Sequence, residues 1–92
     1  MIRYNVFVVV DEKTREEVIA LAKELVAETV KEEGCVAYDF FESTTRSNVL
    51  MFCETWKDAQ ALKSHSESAH LTTILPKIEA LASTVKLESF EF

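Results

Sequence analysis

The fold of this chain is decided by the stretch CVAYDFFESTTRSNVLMFCETW, residues 35–56, in which two strand-like segments flank the short polar run STTRS. Segments rich in β-branched and aromatic residues favour strands, and a connection this short predicts an antiparallel hairpin. A turn centred on Thr45 and Arg46 would place Tyr38 opposite Cys53. Side chains alternate between the faces of a strand, so this register assigns every hairpin residue to one face or the other.

Both faces of the predicted hairpin carry large apolar side chains. In this register Phe40 and Met51 share a face with Tyr38, whereas Phe52 and Trp56 lie on the other face. An antiparallel sheet covered by helices on one side usually exposes its second side to water. Apolar residues on both faces therefore predict a second cover, which is most simply the sheet of another copy of the chain.

The residues before the hairpin predict a strand followed by a helix. Residues 2–10 are nearly all β-branched or aromatic, which favours a strand that is apolar on both faces. Thr14 and Glu17 have the spacing of a capping box and open a run of apolar residues at helical spacing. The first helix is predicted from about Thr14 to about Glu33, and Gly34, the only glycine, follows as a left-handed C-cap.

Two helices are predicted after the hairpin. Asp58 can cap a short helix over residues 59–65, and Ser66 or Ser68 can cap a second helix with its own apolar stripe. Pro76 interrupts that stripe. Because proline lacks an amide donor and clashes with the preceding turn, it predicts a kink or a fresh helical start.

The last segment, residues 83–92, is strand-like but its apolar residues change phase. Val85 and Leu87 occupy odd positions, whereas Phe90 and Phe92 occupy even ones. A strand with one buried face cannot accommodate this change without a bulge or a new partner. We therefore expect the end of this strand to cross to a neighbouring subunit.

The predicted element order is typical of the ferredoxin-like, split βαβ fold. This is an α+β architecture with a four-stranded antiparallel sheet, and residues 1–92 are expected to form a single domain.

A net charge of −6 with scattered Lys and Arg residues argues against nucleic acid as a partner. No apolar run is longer than that of Val6–Val10, which is too short to span a membrane, and no secretory signal is recognisable. We expect a soluble cytoplasmic protein whose two cysteines are thiols.

A polar stretch, residues 54–70, contains the side chains best suited to chemistry. Its two histidines, His65 and His70, are five residues apart. On one continuous helix they would diverge by about 140°, and no further ligand stands at a recognisable spacing, so a metal site is not expected. Each histidine is either a half-buried, hydrogen-bonded residue or a proton carrier in a cleft, since its unperturbed pKa lies near neutrality.

Four further side chains are candidates for a binding site. Glu54 and Trp56 point to the same apolar face, where a carboxylate requires a partner, and Asn5 on the first strand raises the same question. Tyr38 is either a buried, hydrogen-bonded tyrosine or a hydroxyl at the rim of a pocket. The chain contains neither a Gly-rich phosphate loop nor a nucleophile elbow, which argues against nucleotide cofactors and common hydrolase mechanisms.

Two segments, KEEGCVAYDFFES (31–43) and CETWKDAQALKSHSESAH (53–70), carry a family resemblance. They contain an acidic–Gly–Cys start to the second strand, a Glu-x-Trp at the end of the third, an Ala-x-x-x-His helix and a second histidine five residues later. This pattern resembles the antibiotic biosynthesis monooxygenase family, especially its quinol monooxygenase-like members in the dimeric α+β barrel superfamily. The matching residues are Glu33, Gly34, Cys35, Tyr38, Glu54, Trp56, Ala61, His65 and His70.

The resemblance implies a dimer whose sheets pair face to face, and oxygenase chemistry that needs no flavin, haem or metal. The substrate would be an electron-rich small aromatic, quinol or polyphenol whose anion reduces dioxygen directly. His65 or His70 would then transfer the proton, with Tyr38 and Trp56 as pocket walls and Asn5 or Glu54 as orienting groups.

Two other functions stay open. A further branch of the family isomerises a phosphorylated sugar, and the same histidine pair would serve the isomerisation of a small carbonyl compound. The basic residues Arg3, Arg46 and Lys63 are the candidates to hold a phosphate. The third hypothesis is a non-catalytic dimeric module for ligand binding or stress response.

Overall fold

The computed structural model describes residues 1–92 and has the predicted order of strands and helices. The elements are β1 (Ile2–Val9), α1 (Arg15–Thr29), β2 (Cys35–Glu42), β3 (Val49–Trp56), α2 (Ala59–Ser66), α3 (Ala69–Leu81) and β4 (Thr84–Glu91). The strands form one antiparallel sheet in the order β2-β3-β1-β4. The prediction of a ferredoxin-like α+β fold is confirmed. None of the helices combines the length and the apolar character needed to cross a bilayer.

The hairpin between β2 and β3 forms, but its predicted register is wrong by one residue. Tyr38 lies opposite Glu54 and Phe40 opposite Phe52, not opposite Cys53 and Met51. The connection is six residues long and ends on Asn48 in the left-handed conformation, with φ of 63°. This longer loop moves the centre of the turn, so Tyr38 lies on the same face as Glu54.

The first helix ends earlier than predicted, and the predicted capping box does not form at its start. It stops at Thr29 rather than near Glu33, and the Thr14 side chain makes no capping hydrogen bond. The Asp11 carboxylate instead accepts hydrogen bonds from the backbone N–H groups of Lys13 and Thr14. Gly34 is left-handed as predicted, with φ of 86°, and lies in the turn that leads into β2.

The two helices after the hairpin are capped as the sequence predicts. The Asp58 side chain accepts from the backbone N–H of Ala61, and the Ser68 hydroxyl accepts from the N–H of Leu71. Of the two alternatives for the second cap, Ser68 is therefore the one that is used. Helix α3 continues through Pro76 without a fresh start.

The last strand pairs with β1 in one regular register from Val9 opposite Thr84 to Ile2 opposite Glu91. No bulge or change of partner therefore occurs within the chain, and the expected crossing of the strand end to a neighbouring subunit stays a prediction. The change of phase instead distributes apolar side chains over both faces, because Leu87 and Phe90 alternate along a regular strand.

The two faces of the sheet have different surroundings. One face packs against the helices and supplies large core side chains, among them Val8, Leu50, Phe52 and Trp56. The opposite face, which we call the open face, carries Phe7, Val9, Phe41, Met51, Cys53 and Phe90. Phe41 and Phe90 are each about half exposed, so the helices of this chain cover only one side of an apolar sheet.

Candidate active site

A mostly apolar cavity of about 570 Å³ lies between the helix-covered face of the sheet and helices α2 and α3. Eleven of its sixteen lining residues are hydrophobic, and the polar side chains at its wall include Glu54, Lys63, His65, Ser66 and Glu79. Its size falls within the range of small-molecule sites. An apolar wall with few polar groups favours an aromatic or similarly apolar ligand.

His65 is the buried imidazole of this cavity. The sequence places it four residues after Ala61 on α2, so it continues the buried side of that helix and is only 3% exposed. Its Nδ1 lies 2.7 Å from Oε2 of Glu32. Because a carboxylate can only accept, Nδ1 carries the proton of the neutral ring, and Nε2 is then the unprotonated nitrogen.

The environment keeps His65 neutral. Burial lowers the pKa of this imidazole, and the bond to Glu32 opposes that change only in part. The ring packs between Trp56 and Tyr38, with centroid distances of 4.5 and 5.4 Å. These contacts fix the plane of the ring, so Nε2 is ready to accept a proton.

His70 is held by the same carboxylate but does not line the cavity. Its Nε2 lies 2.7 Å from Oε2 of Glu32, and its side chain is partly exposed. The divergence expected on one continuous helix does not apply, because α2 ends at Ser66 and a new helix begins at Ala69. The change of helix direction brings both rings to Glu32, and it removes the geometric argument against a shared ligand.

Glu32 is not among the residues that the sequence patterns indicate. It follows α1 in the turn before Gly34, and neither helical nor strand periodicity applies to such a position. The family-like motif drew attention to its neighbour Glu33, whose side chain is exposed. The run of two acidic residues before a glycine was the available signal, but it could not show which carboxylate turns inward.

Glu54 is a buried carboxyl group in the cavity wall, only 4% exposed. Its Oε1 accepts a hydrogen bond of 2.8 Å from the indole N–H of Trp56. Burial raises the pKa of Glu54 to about 7, the Trp56 hydrogen bond opposes this, and the charge of Glu32 adds to it. The cavity therefore contains a carboxyl group that exchanges its proton near neutrality.

Tyr38 and Trp56 form the aromatic surroundings of the histidine. Tyr38 lines the cavity and is 5% exposed, whereas Trp56 lies fully buried behind the wall. Burial, with the carboxylates of Glu54 and Glu32, raises the pKa of the Tyr38 phenol. The hydroxyl thus stays protonated at neutral pH and remains a hydrogen-bond donor.

Asn5 does not join this group of residues. It lies on the open face of the sheet opposite Cys53, because successive residues of β1 alternate and Tyr4 and Val6 point to the cavity. Its side-chain Oδ1 is buried and accepts no hydrogen bond in the chain. The expected binding site therefore separates into a cavity with Tyr38, Glu54 and His65, and Asn5 on the other side of the sheet.

The buried carboxyl group predicts a pH-dependent stability. Because the pKa of Glu54 rises from its ordinary 4.5 to about 7 on folding, its stabilising contribution is complete below about pH 4.5. That contribution is lost as pH rises through about 7. Glu54→Gln keeps an acceptor for Trp56 but does not titrate. We expect the unfolding free energy of wild type minus that of Glu54→Gln to fall by about 2 kcal/mol between about pH 5 and about pH 7.5.

Urea unfolding at a series of pH values measures this difference. The lowered pKa of His65 gives a slope of the opposite sign, present above about pH 6.5 and lost on acidification, but both proteins share it. The difference between the two proteins therefore isolates Glu54. A difference that stayed constant over this range would contradict the prediction.

Comparison with known proteins places the chain among its relatives. Residues 1–77 match the family model described as antibiotic biosynthesis monooxygenase. A Bacillus subtilis protein named "Putative monooxygenase YcnE" is 36% identical over 83 residues, which are 90% of this chain and 87% of that protein.

Two solved structures share the fold over nearly all of their length. A Bacteroides thetaiotaomicron protein of unknown function, described as a possible oxidoreductase, is 54% identical with a TM-score of 0.95, covering 99% of this chain and 96% of the other. The crystal structure of an antibiotic biosynthesis monooxygenase is 27% identical with a TM-score of 0.92, covering 100% and 98%. As its motifs predict, the chain belongs to the antibiotic biosynthesis monooxygenase family.

Proposed function

We propose that this chain is a monooxygenase that oxidises a small aromatic, quinol or polyphenol substrate with dioxygen, without flavin, haem or metal. The observation that carries the proposal is the unprotonated Nε2 of His65 in the wall of an apolar cavity, with Glu32 bound to the opposite nitrogen. Monooxygenase is also the activity in the names of the family and of the B. subtilis relative.

The first step is removal of a proton from a substrate hydroxyl by Nε2 of His65. The Glu32 carboxylate stabilises the imidazolium that forms, because it accepts the hydrogen bond from Nδ1. The substrate anion is left in an apolar cavity, where few water molecules solvate its charge. An electron-rich anion in such surroundings is a stronger reductant towards dioxygen.

The remaining polar side chains orient the anion. The Tyr38 hydroxyl stays protonated and donates a hydrogen bond to the substrate oxygen, which stabilises negative charge there. Glu54 is protonated in a large fraction of molecules near neutral pH, so it repels the anion less than an ordinary carboxylate would. The substrate supplies all the electrons, one oxygen atom enters the product and the other leaves as water.

Oxygen uptake with a panel of hydroquinones and polyphenols tests the proposal. We expect one dioxygen molecule to be consumed per substrate molecule. When the reaction is run under ¹⁸O₂, each product molecule should contain one labelled oxygen atom. The protein needs no added metal or cofactor in this assay. Turnover of the same substrate at an equal rate without oxygen would contradict the proposal.

An isomerase of a small carbonyl compound is the second candidate. Two proton-transfer groups, His65 and Glu54, face one cavity, and such a pair can remove a proton at one carbon and return it at another. Lys63 at the cavity wall would hold an anionic substituent such as a phosphate. Anaerobic turnover separates the two candidates, because isomerisation consumes no oxygen.

We also propose that two copies pair through their open faces. Met51 lies between Phe7 and Phe41 at the centre of this apolar surface, opposite a residue of each neighbouring strand. Pairing would remove these side chains from water at roughly 25 cal/mol per Å² of apolar area.

Sedimentation velocity of Met51→Glu tests the pairing. We expect twice the 10.5 kDa chain mass for wild type and the single mass for the variant, because a charge would be buried at the centre of the interface. Lys23→Glu, on the exposed side of α1, is the control and should stay paired. A wild-type protein that sediments as one chain would contradict the proposal.

A further inference from the structure

Three metal-ligating side chains meet beside the cavity. We call Glu32, His65 and His70 the Glu32 cluster. One ligand atom from each lies within 4.8 Å of the others, and both imidazole nitrogens are 2.7 Å from the same carboxylate oxygen. The three residues come from the turn after α1, from α2 and from the first turn of α3.

We propose that the Glu32 cluster binds a zinc ion through Nδ1 of His65, Oε2 of Glu32 and Nε2 of His70. Two imidazoles and one carboxylate form a donor set that suits zinc, whereas calcium and magnesium require oxygen ligands. The side chains of Glu32 and His70 are partly exposed, so the ion can enter and a water molecule can complete a tetrahedral site.

Zinc binding would change all three separations: the two contacts to Glu32 would lengthen, and the two imidazole nitrogens, now up to 4.8 Å apart, would come closer together. Tetrahedral zinc with bonds of about 2.0–2.2 Å separates its ligand atoms by about 3.3 Å, so each 2.7 Å contact would lengthen by roughly half an ångström. His65 is fixed by its aromatic neighbours, so the movement falls on the two more exposed side chains. The present hydrogen bonds direct both imidazole nitrogens at Oε2 of Glu32, so this oxygen would move aside to leave the position between the nitrogens to the ion.

Zinc at this position would move the proton of the neutral His65 ring from Nδ1 to Nε2. Without metal, Nδ1 carries the proton and Nε2 can accept one. A neutral imidazole that binds a metal through Nδ1 must instead carry its proton on Nε2. The nitrogen at the cavity would change from an acceptor to a donor, so zinc would inhibit the oxidation. This consequence, unlike the binding itself, rests on the proposed function.

Calorimetric titration of the full chain with zinc chloride tests the site. We expect one zinc per chain for wild type, and binding at least about tenfold weaker in Glu32→Gln and in His70→Asn. Glu33→Gln is the matched control, because Glu33 is the adjacent exposed carboxylate, and its affinity should equal that of wild type. Failure to bind one zinc, or binding that both cluster variants leave unchanged, would overturn the proposal.

The ring protons of His65 give a second readout that needs no substrate. In ¹⁵N-resolved NMR we expect the proton on Nδ1 before zinc is added and on Nε2 afterwards. If zinc binds and moves the proton but no substrate ever consumes oxygen, the zinc site stands and the proposed function fails. If wild type consumes oxygen and saturating zinc neither moves the proton nor slows the reaction, the proposed inhibition by zinc fails.

Discussion

Replacing His65 with asparagine should lower the rate of oxygen-dependent turnover by about 10²–10⁴-fold, the range expected when a positioned general base is lost. The asparagine amide occupies the place of Nδ1 and can keep the hydrogen bond to Glu32, but it has no atom at the position of Nε2. The loss would therefore report proton transfer rather than a missing structural bond. Oxygen uptake under saturating substrate measures it.

Added imidazole provides the control for this variant. The substitution leaves space beside Trp56 and Tyr38, because the imidazole ring packs against both. Free imidazole can enter that space and supply a nitrogen base, so part of the lost rate should return with increasing imidazole concentration. A variant that retains turnover within about threefold of wild type would remove His65 from the mechanism.

His70→Asn separates the roles of the two histidines. Because His70 does not line the cavity, we assign it a positioning role through Glu32. Burial is the main cause of the lowered pKa of His65, and the charge of His70 adds to it. Removing His70 should raise the pKa of His65 and move the acidic limb of the rate profile to higher pH. A purely structural role would leave that limb unchanged.

The order of the elements could be predicted because each rests on local physical signals. Alternating β-branched residues, the apolar stripes of the helices and the caps Asp58 and Ser68 all act within a few residues. The register of the hairpin could not be derived in the same way. It depends on a loop of six residues that ends with left-handed Asn48, and a shift of one residue exchanges the two faces.

The composition of the site was only partly predictable for a similar reason. Tyr38, Glu54 and His65, which all belong to the two motif segments, share the cavity wall. The meeting of His65 and His70 at Glu32 depends on the angle between two short helices and on the path of a turn. Neither is encoded in periodicity, because periodicity describes positions within one element and not between elements.

Gly34 lies in the turn between α1 and β2 and packs against helix α2, which carries His65. Its replacement by alanine should lower the unfolding free energy by about 3 kcal/mol. A Cβ at position 34 would lie 2.5 Å from Cβ of Ala61, and both atoms are attached directly to the backbone. No rotamer change can relieve such a contact, so overpacking adds about 1–3 kcal/mol to the roughly 1 kcal/mol that alanine loses at φ of 86°. Urea unfolding measures the change.

Two companion variants divide the effect into its causes. Asn48→Ala places alanine at φ of 63° in the exposed hairpin loop and should cost only the backbone share, about 1 kcal/mol. Gly34→Ala combined with Ala61→Gly removes the contact between the two Cβ atoms, so it should be more stable than the sum of the single variants by about 1–2 kcal/mol. Equal losses for Gly34→Ala and Asn48→Ala, with no coupling to Ala61, would show that the turn does not press on α2. Coupling of the expected size would mean that this turn fixes the position of α2, and with it the distance between Glu32 and His65 on which the proposed proton transfer depends.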